Sequence, residues 1–186
     1  MTEILDAKAT YPLRGGPCFS LKHRIQRLIW NIVWGLFASW TPPPLHRYRI
    51  FLLQLFGAKV DRTAHVYGSA RIWLPRNLTM DAHSCLGPKV TCYCMANVHL
   101  EPYAIVSQGA HLCTGMHDVD DPNFQLITKP IKLCSHSWVA AEAFIGPGVI
   151  IAARSVIGAR AVVFKNTEMD MIYIGNPAQP LRIRKY

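Results

Sequence analysis

The sequence predicts an all-β solenoid built from hexapeptide repeats and preceded by an N-terminal helical segment. Three observations predict it. An aliphatic residue recurs every six positions, at Leu133, Val139, Ile145, Ile151, Ile157 and Val163. Four positions after the first five of these stand Ser137, Ala143, Val149, Ser155 and Ala161, all small or β-branched, while Ala140, Gly146, Ala152 and Gly158 directly follow an aliphatic residue. Third, 51% hydrophobic and 17% charged residues exclude a disordered chain, and 186 residues suffice for one core-bearing domain plus an appendage. Short strands that each bury one aliphatic side chain and turn at small residues wind into coils of three hexapeptides, about 18 residues each, stacked at roughly 4.8 Å.

Residues 1–57 form a basic, apolar helical segment. The run Leu28 to Trp40 (LIWNIVWGLFASW) follows Lys22, Arg24 and Arg27 and is closed by Thr41 and Pro42 to Pro44, which stop a helix. Thirteen residues at about 1.5 Å each cover roughly 20 Å, less than the roughly 30 Å of a bilayer core, so a full span is not expected. Two readings stand. In one, residues 22–40 are an interfacial anchor, with Trp30, Trp34 and Trp40 at headgroup level and the flanking cations on anionic lipid. In the other, the helix packs on the main domain or between subunits. A second apolar run, Tyr48 to Phe56, ends at Gly57, a helix stop.

Residues 58–166 carry the solenoid. The frame enters as Val60, Val66, Ile72 and Leu78 with Ala64, Ala70 and Ala82, is weak between 80 and 98, and resumes as Leu100, Val106 and Leu112 with Ala104 and Ala110. From Leu112 to Leu133 the separation is 21 residues, three more than a coil. The segment 114–130 (TGMHDVDDPNFQLITKP) therefore leaves the solenoid as an excursion loop, and loops on repeat scaffolds commonly carry function. Residues 167–186 are a C-terminal tail.

The net charge of +9 is unevenly spread. Residues 1–57 hold seven basic and two acidic groups, 58–178 ten and nine, and 179–186 three and none. The near-neutral middle argues against a nucleic-acid-binding face there. The six cysteines lie mostly in apolar stretches with no secretory signal before them, which reads as reduced thiols in a cytoplasmic protein. Cys92 and Cys94 lack the spacing of a zinc knuckle and read as core thiols; the remaining histidines lack a ligand grouping, so no metal site is expected.

The repeats 133–163, the loop Cys-Thr-Gly-Met-His-Asp (113–118) and the ending Gly-Asn-Pro-Ala (175–178) together resemble the hexapeptide-repeat acyltransferases, which include the maltose and galactoside O-acetyltransferases. More narrowly, segments 45–58, 107–118 and 138–149 resemble the colanic acid biosynthesis acetyltransferase subgroup, which modifies exopolysaccharide sugars. The resemblance implies a left-handed parallel β-helix, generally a homotrimer with active sites between subunits, and acetyl-CoA as co-substrate. It implies a saccharide acceptor, lipid-linked if the enzyme works near the inner membrane. The chain departs from the family pattern at Ala140 and Ala152, where glycine is usual, at Val-Phe-Lys-Asn (163–166) for Val-Thr-Lys-Asp, and along 84–97, which does not match the maltose-type acceptor site.

Acetyl transfer to a sugar hydroxyl requires a base, since a neutral alcohol is a weak nucleophile. The resemblance puts that role on His117, at the sixth position of the repeat unit that starts at Leu112. An imidazole is substantially neutral at cellular pH and can pass the proton on to the departing thiolate. Asp118 is the adjacent candidate for orienting the ring or binding substrate; Asp120, Asp121, Glu101, Glu142 or a backbone carbonyl are the alternatives. Cys113, four residues away, is a small-position repeat residue rather than a nucleophile. For the donor, Lys165 and Arg182 are expected on the phosphates, with Arg184 and Lys185 nearby, and Ala140, Gly158 and Ala159 along the pantetheine. The alternatives are a γ-carbonic-anhydrase-like metal enzyme and a non-catalytic hexapeptide-repeat scaffold.

Overall fold

The computed structural model describes residues 4–185. Between Lys59 and Val163 the chain coils through three parallel sheets that wall a three-sided solenoid. The first wall stacks Lys59–Val60, Leu78–Met80, Val98–Leu100, Ile131–Leu133 and Ile150–Ile151. The second includes His65–Val66, Cys85–Leu86, Ile105–Val106, Trp138–Val139 and Val156–Ile157, and the third Arg71–Ile72, Thr91–Tyr93, His111–Cys113, Phe144–Ile145 and Val162–Val163. Each strand points at least one residue inward, and Val66, Leu86, Leu112, Leu133, Val139, Ile145 and Ile157 are completely buried. Backbone groups of each coil pair with the coils above and below: Cys85 N donates to Ala104 O at 2.9 Å, and Trp138 N to Ser155 O at 2.9 Å. Small residues turn the corners because anything larger would meet the next coil; Ala104, Ala110, Ala143, Ala161 and Ser137 are all inaccessible.

The register corrects the predicted frame in the early coils. Val60 pairs with Met80 and Met80 with Leu100, an advance of 20 residues per coil, whereas Leu133 pairs with Ile151, an advance of 18. The two extra residues sit at the corner between the third and first walls, in the short 3-10 turn Pro75–Asn77 and again at 94–97. Met80, not Leu78, therefore continues the six-residue frame, although both are buried, and Ser84 rather than Ala82 is the buried small residue that follows. The weak pattern of 80–98 is the same shift, followed by Cys92 in an aliphatic position. The excursion 114–130 leaves from this same corner one coil later. The three elaborations are tied together: the Asn77 side-chain amide donates to Cys94 O and Met95 O at 3.0 and 2.7 Å, and Ala96 N donates to Thr114 Oγ1 at 3.0 Å.

Three α-helices among the described residues precede the coils: α1 (Ala7–Thr10), α2 (Leu21–Phe37) and α3 (His46–Leu55). Ser20 caps α2 by accepting from His23 N, and the helix ends before the Thr41–Pro42 turn. Trp30 Nε1 donates to Ile72 O at 2.7 Å and Trp34 Nε1 to Ala70 O at 3.0 Å, so these two indoles are buried against the third wall. That overturns their assignment to a headgroup layer: the tryptophan face is the inner one. Trp40, 72% exposed, stays outside with Ile25, Leu28, Ile29, Ile32 and Leu36. Close approach explains Gly68, where a Cβ would stand 2.6 Å from Ala38 O. Helix α3 covers the open end of the first coil with Ile50 and Leu53, as a solenoid end requires. Its buried Arg49 is satisfied by Val66 O, Thr41 Oγ1, Pro42 O and Pro43 O at 2.6–2.9 Å. At the other end, Met171–Ile174 joins the second wall in parallel and Gln179–Ile183 folds back on it, with Gly-Asn-Pro-Ala (175–178) as the turn.

Candidate active site at the excursion corner

The excursion is a hairpin rather than an irregular loop. Gly115–His117 pairs antiparallel with Leu126–Thr128, with His117 opposite Leu126. Its base is fastened by Thr114, whose hydroxyl donates to Tyr93 O at 2.8 Å. Gly115 lies beneath Met95, where a Cβ would stand 2.8 Å from the Met95 sulfur and make that side chain shift. Asp121 organises the tip, accepting from Asn123 N at 2.9 Å and from Gln125 N at 3.3 Å, which turns Phe124 into the left-handed region at φ 54°.

This tip sets the imidazole. His117 Nδ1 lies 2.8 Å from Phe124 O, and the ring stacks on the Phe124 ring at 4.2 Å and 11°. A carbonyl only accepts, so Nδ1 carries the hydrogen and the neutral ring keeps its lone pair on Nε2. Of the orienting partners open at the sequence level, the structure selects a backbone carbonyl. The Asp118 carboxylate instead accepts from Asp120 N at 3.1 Å and holds the hairpin turn. Gln125 ties the hairpin to the N-terminal strap: its Oε1 accepts from Ala7 N at 2.8 Å and its Nε2 donates to Leu5 O at 3.2 Å. Phe124 and Gln125 were not singled out from the sequence, and only the hairpin register reveals them. Cys113 is half-buried and its thiol donates to Gly115 O at 3.3 Å, turned into its own strand end.

The other expected residues fall into separate places. Ala140 is buried at the corner between the second and third walls, with its N–H on Ile157 O, and Gly158 sits one coil further on with its N–H on Tyr173 O. Ala159 is exposed beside it. Lys165 is exposed just past the third wall, on the side from which the hairpin leaves, and lines a cleft of about 290 Å³ with Phe164, Asn166 and Pro177. Arg182 lies exposed on the outermost strand. One chain thus keeps His117 and Asp118 on the hairpin, Lys165 in the cleft past the end of the third wall, and Ala140, Gly158 and Ala159 at the corner between the second and third walls. Among the described residues, no three His, Cys, Asp or Glu side chains converge to hold a metal ion. His99 is engaged with Asp81 at 2.8 Å, and His83, Tyr103 and His136 stack in a column at one corner.

No protein-family model matches the chain. Over 156 residues it is 35% identical to WcaF of Escherichia coli (strain K12), a protein provisionally named as a colanic acid biosynthesis acetyltransferase, covering 84% of this chain and 86% of WcaF. The chain belongs to the WcaF-type hexapeptide-repeat acetyltransferase family. It is also 28% identical over 116 residues to the galactoside O-acetyltransferase of Escherichia coli (strain K12), covering 62% of this chain and 55% of that one. Among solved structures, a maltose O-acetyltransferase from Clostridium difficile 630 superposes with a TM-score of 0.79 at 17% identity over 90% of both chains. A hexapeptide-repeat-containing acetyltransferase of Vibrio cholerae, solved in complex with acetyl coenzyme A, superposes with a TM-score of 0.76 at 21% identity, covering 98% of this chain and all of that one. The fold of this acetyltransferase is accordingly the left-handed parallel β-helix, a hand opposite to the usual crossover.

Proposed function

We propose that the protein transfers acetyl from acetyl-CoA to a hydroxyl of a saccharide in exopolysaccharide or other cell-surface glycan biosynthesis, with His117 as general base. The observation that carries this reading is the Nδ1 contact to Phe124 O, which holds the imidazole in the tautomer a base needs on an exposed hairpin. Nε2 takes the proton of the sugar hydroxyl as its oxygen attacks the thioester carbonyl. When the tetrahedral intermediate collapses, the carbon–sulfur bond breaks and the imidazolium returns that proton to the CoA thiolate. The donor is read along Ala140, Gly158 and Ala159, with Lys165 and Arg182 on its phosphates. Asp118 acts on substrate through the hairpin turn it stabilises.

Because the donor corner and the hairpin corner are apart within one chain, the reading includes a homotrimer in which one subunit's hairpin faces a neighbour's groove. Thiol release from acetyl-CoA over a panel of oligosaccharides tests the chemistry: His117→Ala is expected to lose about 10²- to 10⁴-fold while keeping the melting temperature. Full activity in that variant refutes the base. Mixing inactive His117→Ala with inactive Ala159→Trp subunits tests the sharing, since random reassembly restores about a quarter of the sites if each is built from two chains. No recovery means each chain works alone.

The reading extends to a cytoplasmic enzyme that touches the inner face of the membrane through residues 22–40 and acts on a lipid-linked acceptor. No helix among the described residues is long and apolar enough to cross a membrane. What supports surface contact is the outer face of α2, where Ile25, Leu28, Ile29, Ile32 and Leu36 lie exposed. No acidic residue occurs from 7 to 60, against eight Lys and Arg.

A further inference from the structure

A cavity of about 330 Å³ opens between α2 and the third wall, lined among others by Arg27, Trp30, Asn31, Arg71, Trp73 and Tyr93. Among the described residues its lining contains two guanidinium groups and no carboxylate. The Arg27 guanidinium lies 3.1 Å from the Trp73 ring centroid, and Tyr93 meets the same indole edge-on at 4.3 Å. Arg27 Nε and Trp73 Nε1 are both shut off from water and have no hydrogen-bond partner among the described residues. Burial lowers the proton affinity of Arg27. Elsewhere the chain does pair its partly buried cations: Arg154 meets Asp170, and Arg49 is saturated by carbonyls. Unpaired buried donors beside a cation are costly unless something accepts from them.

The cavity adjoins the candidate active site. Trp73 and Tyr93 pack on the cluster of Phe19, Met95 and Leu126. Met95 lies against Gly115, and Leu126 is the strand partner of His117, so one layer of side chains separates the cavity from the base of the catalytic hairpin.

We propose that this cavity is an acceptor subsite for an oxyanion-bearing sugar unit, a carboxylate or phosphate sugar adjoining the unit that receives acetyl. The sugar face rests on the Trp73–Tyr93 wall. Its oxyanion draws Arg27 off the indole, which gives Arg27 Nε and Trp73 Nε1 the acceptor they lack, with Arg71 at the rim as a second cation. The identity of the ligand rests on the saccharide reading above; the binding of an oxyanion does not.

Tryptophan fluorescence of the full chain, titrated with a glucuronic-acid-containing disaccharide, its neutral glucose counterpart, inorganic phosphate and glycerol phosphate, tests it. The acidic disaccharide is expected to bind at least about 10-fold tighter than the neutral one, with Arg27→Gln removing the preference and Trp73→Phe, which keeps a ring but loses the N–H, reducing it. His117→Ala should lose turnover but keep the preference for the acidic over the neutral disaccharide, so loss of the catalytic reading and loss of the subsite are told apart. Equal affinity for acidic and neutral disaccharides overturns the proposal, as does an unchanged preference in both variants. Glycerol phosphate or inorganic phosphate binding as tightly as the acidic disaccharide also overturns it, in favour of a lipid headgroup or free phosphate. If Arg27→Gln fails to fold, Trp73→Phe alone decides.

Discussion

The coils and the N-terminal segment are both rich in apolar residues, yet they use them in opposite ways. In the coils every inward aliphatic is sealed between neighbours above and below, and basic and acidic groups nearly balance. In α2 the apolar residues surround the helix: Trp30 and Trp34 are buried against the third wall, while Ile25, Leu28, Ile29, Ile32 and Leu36 face away from the solenoid. A repeat coil is its neighbour's partner and so completes itself. A helix apolar on both sides is complete only when something else covers its second face.

The sharpest break of that comparison is truncation at matched apolar sites. Trp34→Ala removes the indole packed on the wall and its hydrogen bonds to Gly68 O and Ala70 O, and should cost about 3–5 kcal/mol of stability in chemical denaturation. Ile145→Ala in the coil should cost about 2–5 kcal/mol, because the rigid stack above and below cannot collapse into the space. Ile32→Ala, on the outer face of α2, should stay within about 0.5 kcal/mol. A core-sized loss there would mean that the outer face is already covered by protein in the assembly. On anionic vesicles, Ile32→Glu with Leu36→Glu should abolish flotation without moving the melting temperature; a full chain that never floats removes the membrane reading altogether.

The smallest effect is electrostatic and belongs to the coils. Lys132 at 2.7 Å, followed by Ser135, holds the Glu101 carboxyl below the usual glutamate range. A carboxyl with a depressed folded pKa stabilises the fold above its unfolded pKa, and that contribution disappears as pH falls through the folded value. Stability measured from pH 6 downward should therefore fall through the acid range, and Glu101→Gln should flatten part of that slope. Partial exposure keeps the change small. The stretch from 7 to 60 has no carboxylate side chain with which to contribute such a limb.

Several features were legible because their causes are local. The six-residue repeat marks which side chains point inward, and the three residues in excess of a coil between Leu112 and Leu133 mark where the chain must leave. The 20-residue coils were not legible: the extra residues at 75–77 and 94–97 break the frame, which moves the small corner residue to Ser84, and Met80 and Cys92 fill core positions in an uncharacteristic guise. The Arg27–Trp73 cavity was equally silent, since its two sides come from segments 46 residues apart.

By itself the sequence determined the repeat, the buried aliphatic rows and the excursion, because each follows from side-chain size at a fixed spacing; the family resemblance is what singles out His117 on that excursion. Which face of α2 turns inward, the partner of His117 Nδ1 and the union of three successive corners into one site were decided only by the tertiary structure. Helical periodicity cannot choose between two apolar faces. A hydrogen bond from His117 to a carbonyl seven residues on exists only after the hairpin has set its register.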